Sequence, residues 1–559
     1  MKNVLFATVA TAAVCLAQVP DAPTTSAPAV AATLPATPHL LLDTVGPDGW
    51  RTRLGPTNLG SLLASEQGRA LWQPSVLPML GQVKAMLGGD EAGTAAEQRL
   101  LGHQGRIRIG VWLDLEARNA GDAIAMATLI EGDGRTDLQS LASDLSNLMA
   151  MAIGGDEGKL DLAGARREVR RQDGAAFVLP FVDGNHVLLA TGPEAMVPAV
   201  FAAMQKLGAD ATGKPPLPNT PALRLQLDLA PLIANTIAKE GARDGAMMKG
   251  LGLPSLGQLA MGVAAAGPHV QFELAQQFTS DERGLFAALL PATAGVPMLH
   301  ALVPAHAASW KVGRFDFHGL YRAAITALAG MQEQTTAELT EELRKDCGID
   351  PDSELLAHAT DEMLFWHGPL DDLDRIERTD WTLAIGLRDR DAFAKGLTTL
   401  LQHGKPMLMR EEAVTVDGVE LLRYGSFGYD LWLAVGPKHF VLAGGKGAQA
   451  NVAALLRAAK SAPADALAAK AMADLQRHLP PGCNGHARSE IGGFAALPVA
   501  WWTMALREFV PIVPFGGDGA EEDDEARNQR RELLKAHQLD VVRTATGYAE
   551  RTWRWRLWW

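Results

Sequence analysis

The sequence predicts an α+β fold: two tandem similar halves, each a largely antiparallel sheet with packed helices. Three observations carry that prediction. Short segments recur at nearly equal spacing along the 559 residues, and internal repeats are read before anything else. Strand-length alternating runs are interspersed with helix-length amphipathic stretches. Finally, Asp173-Gly174 and Asp417-Gly418 read as two-residue hairpin turns, which join antiparallel strands and are too tight for parallel crossovers.

The chain opens on Met1-Lys2-Asn3, followed by the uncharged run Val4 to Ala17. Fourteen residues span about 21 Å as helix, short of a ~30 Å bilayer core. With small residues at Cys15 and Ala17, and a later alternative at Ala29-Val30-Ala31, residues 1–17 read as a cleavable secretory signal. Val14 is bulkier than the small residue that precedes a lipidated cysteine, so Cys15 is not read as a lipid anchor. Residues 18–37, with Pro20, Pro23, Pro28 and Pro35 among Ala and Thr, read as an extended tether. No later run reaches 18 uncharged apolar residues, so no transmembrane span is expected in the mature chain.

The first half is expected over 38–295 and the second over 296–559. In the first, strands are read at 123–130, 176–181 and 187–190, and helices at 137–150 and 195–207. In the second, strands are read at 381–387, 419–424, 431–435 and 440–443, and helices at 391–401 and 448–459. The tail Arg551-Thr552-Trp553-Arg554-Trp555-Arg556-Leu557-Trp558-Trp559 alternates. It reads as a last strand with Trp553, Trp555 and Leu557 on a buried face and Arg554 and Arg556 opposite. The run Val270-Gln271-Phe272-Glu273-Leu274 alternates in the same way near the end of the first half.

The repeat rests on matched segments. Leu100-Leu101-Gly102-His103 reappears as Leu355-Leu356-Ala357-His358, each before an apolar run that ends near Trp112 or Trp366. His186-Val187-Leu188-Leu189-Ala190-Thr191-Gly192 reappears as His439-Phe440-Val441-Leu442-Ala443-Gly444-Gly445. The Asp-Gly pairs precede these runs, and Pro38 to Trp50 is a looser match to Pro297 to Trp310. Through its Leu-Leu-x-His and His-x-x-Leu-Ala-x-Gly segments the chain resembles a loosely defined group of large exported bacterial proteins of unknown function. The resemblance implies two similar α+β halves and no particular activity, cofactor or catalytic residue.

Linear catalytic motifs do not hold. In Gly208-Ala209-Asp210-Ala211-Thr212-Gly213-Lys214, Pro215 replaces the hydroxyl residue of a P-loop and Pro216 forbids its helix. Gly444-Gly445-Lys446-Gly447 is a better anion cradle, but its counterpart Thr191-Gly192-Pro193-Glu194 carries an acid, so a shared tight turn is the preferred reading. Gly425-Ser426-Phe427-Gly428 lacks the nucleophile-elbow spacing, and the acidic run 521–525 lacks the ligand order of an EF-hand. His300, His306 and His318 are the densest histidine group, and their spacing does not place them on one helical face. His103 with His358, and His186 with His439, recur and are read as structural. No catalytic, cofactor-binding or metal-ligating residue is assigned, and no cofactor is expected. Cys347 and Cys483 either pair or are buried separately.

A formal charge of −13 excludes nucleic acid as the main partner, since phosphate-backbone binding needs a cationic footprint. The functional expectation is an exported, periplasmic or extracellular, non-enzymatic protein that binds or scaffolds an envelope or extracellular partner. Its alternatives are an exported hydrolase with a site assembled between the halves and a peripheral membrane protein using the C-terminal Trp/Arg segment.

Overall fold

The computed structural model describes residues 34–35, 37–67, 69, 91–117, 123–153, 155–209, 221–239, 242–289, 293, 295, 297–304, 306–332, 334–368, 380–403, 409–426, 429–461, 478–490, 529 and 532–558. The secretory-signal reading, most of the P-loop-like segment and the acidic run 521–525 lie outside them.

The first ten strands and their helices follow the order β1 (Leu40–Val45), α1 (Pro47–Leu54), α2 (Asn58–Ala64), α3 (Glu91–Gly102), β2 (Arg106–Leu113), β3 (Ile124–Glu131), α4 (Leu138–Ala152), β4 (Asp156–Leu162), β5 (Ala165–Gln172), β6 (Ala175–Asp183), β7 (His186–Pro193), α5 (Val197–Ala209), β8 (Leu223–Asp228), α6 (Leu229–Lys239), α7 (Ala242–Leu251), β9 (Leu256–Ala266) and β10 (His269–Phe278). Side by side these strands run β4-β5-β6-β7-β3-β2-β1-β8-β9-β10, antiparallel at every pairing from β4 to β9.

The chain continues with α8 (Leu285–Leu289), β11 (Ser309–Arg314), α9 (Phe317–Gln332), α10 (Thr336–Cys347), α11 (Pro351–Glu354), β12 (Ala359–His367), β13 (Trp381–Leu387), α12 (Arg390–His403), β14 (Met409–Val416), β15 (Val419–Ser426), β16 (Tyr429–Val435), β17 (His439–Gly444), α13 (Ala448–Ser461), β18 (Cys483–Glu490), β19 (Val541–Ala549) and β20 (Thr552–Trp558). These strands run β14-β15-β16-β17-β13-β12-β11-β18-β19-β20, again antiparallel. Position for position, that is the order of the first ten. Leu189 and Leu442 are each the fourth residue of β7 and β17, opposite Thr128 and Leu383 respectively.

Local chemistry explains the elements. Asp137 caps α4 by accepting from Gln139 N–H, and Thr335 with Glu338 forms a capping box on α10, which ends on left-handed Gly348. Helix α5 buries Val197, Val200, Phe201 and Met204 against Leu129, Leu188 and Ala190, while α3 and α4 cover the opposite face over Ile107, Ile109 and Ile130. Helix α13 likewise buries Ala448, Val452, Leu455 and Leu456 against Val312, Leu364, Ala384 and Val441. The far side of those strands packs Phe440 and Ile385 on Phe393 of α12. Spacing of three and four residues on the helices and of two on the strands produces these faces.

By compactness the chain forms two units that interleave in sequence. One comprises Met1–Leu232, Gln258–Glu273 and Thr503–Leu539; the other comprises Ile233–Gly257, Leu274–Trp502 and Asp540–Trp559. The second therefore takes α7, which packs on α9, from between β8 and β9.

Several expectations change. Asp173-Gly174 and Asp417-Gly418 both form the expected turns, with φ of 51° and 83° and of 52° and 80°. They are one hairpin apart, however, because the first joins β5 to β6 and the second β14 to β15; the counterpart of the latter is Ala163-Gly164, with φ of 49° and 81°. Trp50 lies in α1 and Trp310 in β11, so the looser match falls on unlike elements. Two residues of the expected tether, Leu34 and Pro35, take part in the described fold. Leu34 packs on the α5 core, and Pro35 C=O accepts from the Trp112 indole at 3.1 Å. In the tail strand β20, Trp553 and Trp555 are half-buried. The fully buried indole is Trp558, 1% exposed, stacked on His478 and packed on Ala545. Arg556 is buried as well, because its guanidinium donates to the His478 and Leu479 carbonyls. No helix of the described residues is long and apolar enough to cross a membrane.

Candidate functional site

Strands β8, β1 and β2 set a row of charges. Arg224 lies directly opposite Asp43, and Asp43 directly opposite Arg108. Arg108 in turn faces Leu129, which sits under α5, so alternation puts the whole row on the α5 face together with Arg106, two residues back along β2. Arg106 Nη1 donates to Asp43 Oδ2 at 3.1 Å, and Arg108 Nε lies 3.9 Å from the same oxygen. Arg108 Nη2 lies 4.0 Å from Glu131 Oε2. Its Nη1 donates to Leu207 C=O in the last turn of α5, where the helix dipole favours a cation. Arg53 of α1 reaches in and donates to Pro221 C=O.

Four guanidinium groups thus surround two carboxylates. Burial lowers the proton affinity of Arg53, Arg106 lowers it further and Asp43 opposes both. Burial likewise acts first on Arg224, with Asp43 opposing and Arg106 and Arg108 adding to the effect. Arg224 Nε is enclosed and has no hydrogen-bond partner among the described residues. An enclosed donor without an acceptor costs about 1–3 kcal/mol, so this row has capacity for an added acceptor. Arginine keeps its proton at all working pH values and offers a planar fork of donors. The row is therefore suited to holding an oxyanion and unsuited to moving protons.

The histidines singled out by the sequence do not converge. His300 sits against Trp310 and His486, with ring centroids 5.4 and 4.6 Å away. His306 meets the edge of Trp366. His318 pairs with Asp352 at 2.5 Å, beside Arg322 on the same carboxylate. His486, which drew no attention in the sequence, is the most perturbed of them. Burial, and then the neighbouring His300, lower its pKa from 6.5 to about 3, and neither ring nitrogen has a partner among the described residues. Among those residues no group of three or more His, Cys, Asp or Glu could hold a metal ion.

His103 is a loop lock. Its Nδ1 lies 3.3 Å from Asp133 Oδ2, and Asp133 also accepts from the N–H groups of Gln104, Arg135 and Thr136. Burial works against the Asp133 carboxylate, yet those N–H groups and His103 hold it well below the usual carboxylate range. His358 ties the corresponding loop through its carbonyl, which accepts from Arg388 and Asp389 N–H. His186 and His439 each open a strand, β7 and β17, at its first residue.

The Gly444–Gly447 turn is already supplied with an anion. Asp380 Oδ1 accepts from Gly447 N–H at 2.8 Å, while Glu194 beside the counterpart turn pairs with Arg171 at 2.8 Å. Ser426 ends β15 and Tyr429 begins β16, so the Gly425–Gly428 segment joins two hairpin strands. Cys347 and Cys483 are both free. Cys347 packs among Ile349, Leu355 and Phe393, and Cys483 beside Ala545 and Trp558.

The arginine row had one readable sign: Arg106-Ile107-Arg108 places two cations on one face of an otherwise apolar strand. Asp43 and Arg224 join it only through strand pairing. No protein-family model matches the chain, and no curated protein or solved structure is significantly similar to it.

Proposed function

We propose that this is an exported, non-enzymatic binding protein of the bacterial cell envelope, periplasmic or extracellular, built as a tandem duplication like the large exported proteins it resembles. The duplication reading is supported by the shared strand order and by the matched places of Leu189 and Leu442. Export is supported by the charged start and short apolar run of residues 1–17. The observation that carries binding over catalysis is the arginine row, which concentrates donors that cannot exchange protons at neutral pH.

The test is ligand retention. Protein purified from its native host is incubated with an envelope extract and gel-filtered, and the retained small molecules are weighed by mass spectrometry. A molecule recovered chemically unchanged supports the reading. A molecule recovered only as its hydrolysis product overturns it in favour of the exported hydrolase. N-terminal sequencing of the same material should begin after Ala17 or Ala31; Met1 on cytoplasmic protein would remove the export reading.

A further inference from the structure

We infer that the row Arg224–Asp43–Arg108, with Arg106 and Arg53, is a binding site for a phosphate group, free or as a monoester, and that it discriminates against sulfate. The inference rests on the binding reading above and supplies its ligand class.

Charge comes first. Arg53, Arg106, Arg108 and Arg224 face Asp43 and Glu131, which leaves a surplus of two positive charges within a chain of net charge −13. Clustered cations in a partly buried site destabilise one another unless an anion joins them, and a dianion offsets a surplus of two. Geometry is the second argument. Arg106 and Arg108 are both directed at Asp43 Oδ2, which orients their remaining N–H groups. Arg224, across the strand, brings an enclosed Nε with no partner among the described residues. Guanidinium forks in fixed orientations match tetrahedral oxyanions. Access is the third. The Arg106 side chain is 25% exposed and that of Glu131 39%, so the row opens to solvent at one end.

Asp43 supplies the discrimination. Inorganic phosphate keeps a proton even as the dianion, whereas a monoester keeps one only as its monoanion, half of its molecules at about pH 6; that P–OH can donate to a carboxylate. Among the described residues no hydrogen bond reaches Asp43 Oδ1, whereas Oδ2 is taken by Arg106. Sulfate carries no such proton, so beside Asp43 it meets only repulsion. One charge-assisted hydrogen bond contributes about 1.5–3 kcal/mol, or roughly 10-fold and upward in affinity.

The experiment is isothermal titration of the full chain, dialysed free of oxyanions, with inorganic phosphate and with sulfate at pH 6.5 and matched ionic strength. We expect saturable one-to-one binding of phosphate, about 10-fold or more tighter than sulfate. Arg224→Gln should weaken phosphate binding by at least about 10-fold with a melting temperature no lower than that of the wild type. Asp43→Asn should bring the two anions to similar affinity. Should Asp43→Asn not fold, Arg224→Gln still decides the matter, since its Nε holds no hydrogen bond to lose. Arg171→Gln, on the β4–β5 hairpin edge, should leave phosphate affinity unchanged. Absence of phosphate binding by the folded wild-type chain, sulfate binding equally well, or an Arg224→Gln variant of undiminished affinity each overturns the site. Failure of the broader reading looks different: phosphate binds as expected, but the chain turns over p-nitrophenyl phosphate, so the site stands and the non-enzymatic assignment falls.

Discussion

Two rows of residues occupy matching places in the two sets of ten strands, and their chemistry agrees at two of five positions. In the first, Leu188, Leu129, Arg108, Asp43 and Arg224 lie in register across β7, β3, β2, β1 and β8. In the second, Val441, Ala384, Leu364, Val312 and His486 do so across β17, β13, β12, β11 and β18. The first two members of each are apolar because α5 or α13 lies on them. The last three diverge, to Arg-Asp-Arg in one row and Leu-Val-His in the other. Backbone pairing is indifferent to that exchange, since antiparallel ladders bond through the main chain. What it alters is the cost of burial: charges need partners, and apolar side chains need only contact. A scaffold can thus keep its strand order while one row concentrates charge and the other is apolar but for one buried imidazole.

Transplanting charge gives the largest expected effect. Val312 is 0% exposed among Leu364, Trp366 and Val441, with no arginine at the places held by Arg108 and Arg224 in the other row. Val312→Asp should destabilise by about 3–5 kcal/mol, as an uncompensated buried charge does. Urea denaturation followed by tryptophan fluorescence measures it. A loss below about 1 kcal/mol would mean that the two rows are not different environments.

The pH dependence comes next. Unfolded His486 takes a proton below about pH 6.5, whereas in the folded chain it does so only near pH 3. The unfolded state therefore binds more protons between those values, and stability falls as pH drops through that window. His486 alone accounts for about 2 kcal/mol of loss between pH 7 and pH 5. His486→Leu should reduce that slope, while the same substitution of exposed His306 should not. Equal slopes for wild type and His486→Leu would contradict the burial argument.

The smallest effect concerns how the rows are filled further along. A Cβ on Gly110 would lie 2.6 Å from the Trp112 ring, so the indole folds back over that glycine. The matching strand position is Trp366, itself buried, and the two rings occupy their cores from residues two apart. Gly110→Ala should cost about 1–3 kcal/mol through overpacking, seen as a lower thermal midpoint. Gly313→Ala, where a Cβ would meet nothing nearer than 3.9 Å, should change little.

The same contrast explains what the sequence disclosed. The strand read at 381–387 and the helices read at 137–150 and 448–459 were legible because one face of each is apolar at the right period. The β4–β5 hairpin was not. Glu157, Lys159 and Asp161 alternate with little apolar content and Arg166, Arg167, Arg170 and Arg171 follow, so an edge hairpin held by cross-strand pairing lacks a hydrophobic signature. In the tail Leu557 is buried on the expected face, but so are Arg556 and Trp558 on the other, because Trp558 packs on His478 and Ala545, neither of which alternation within the strand can reveal. The candidate site stayed hidden because Asp43, Arg106 and Arg224 meet only when β8, β1 and β2 pair. Recurrent histidines, by contrast, were visible and proved to be loop locks and strand starts.

The central claim is that the charged row is kept for a phosphate ligand while its apolar counterpart is not a site. Urea midpoints of the full chain measured against rising phosphate and, separately, rising sulfate at fixed ionic strength test it most directly. A ligand that binds only the folded state stabilises by RT ln(1 + [L]/Kd), about 2.7 kcal/mol at a hundredfold excess over Kd. The account predicts a midpoint that climbs with the logarithm of phosphate concentration, climbs far less with sulfate, loses the phosphate dependence in Arg224→Gln and keeps it in His486→Leu. Identical curves for the two anions, or a phosphate dependence that survives Arg224→Gln and disappears in His486→Leu, would contradict it.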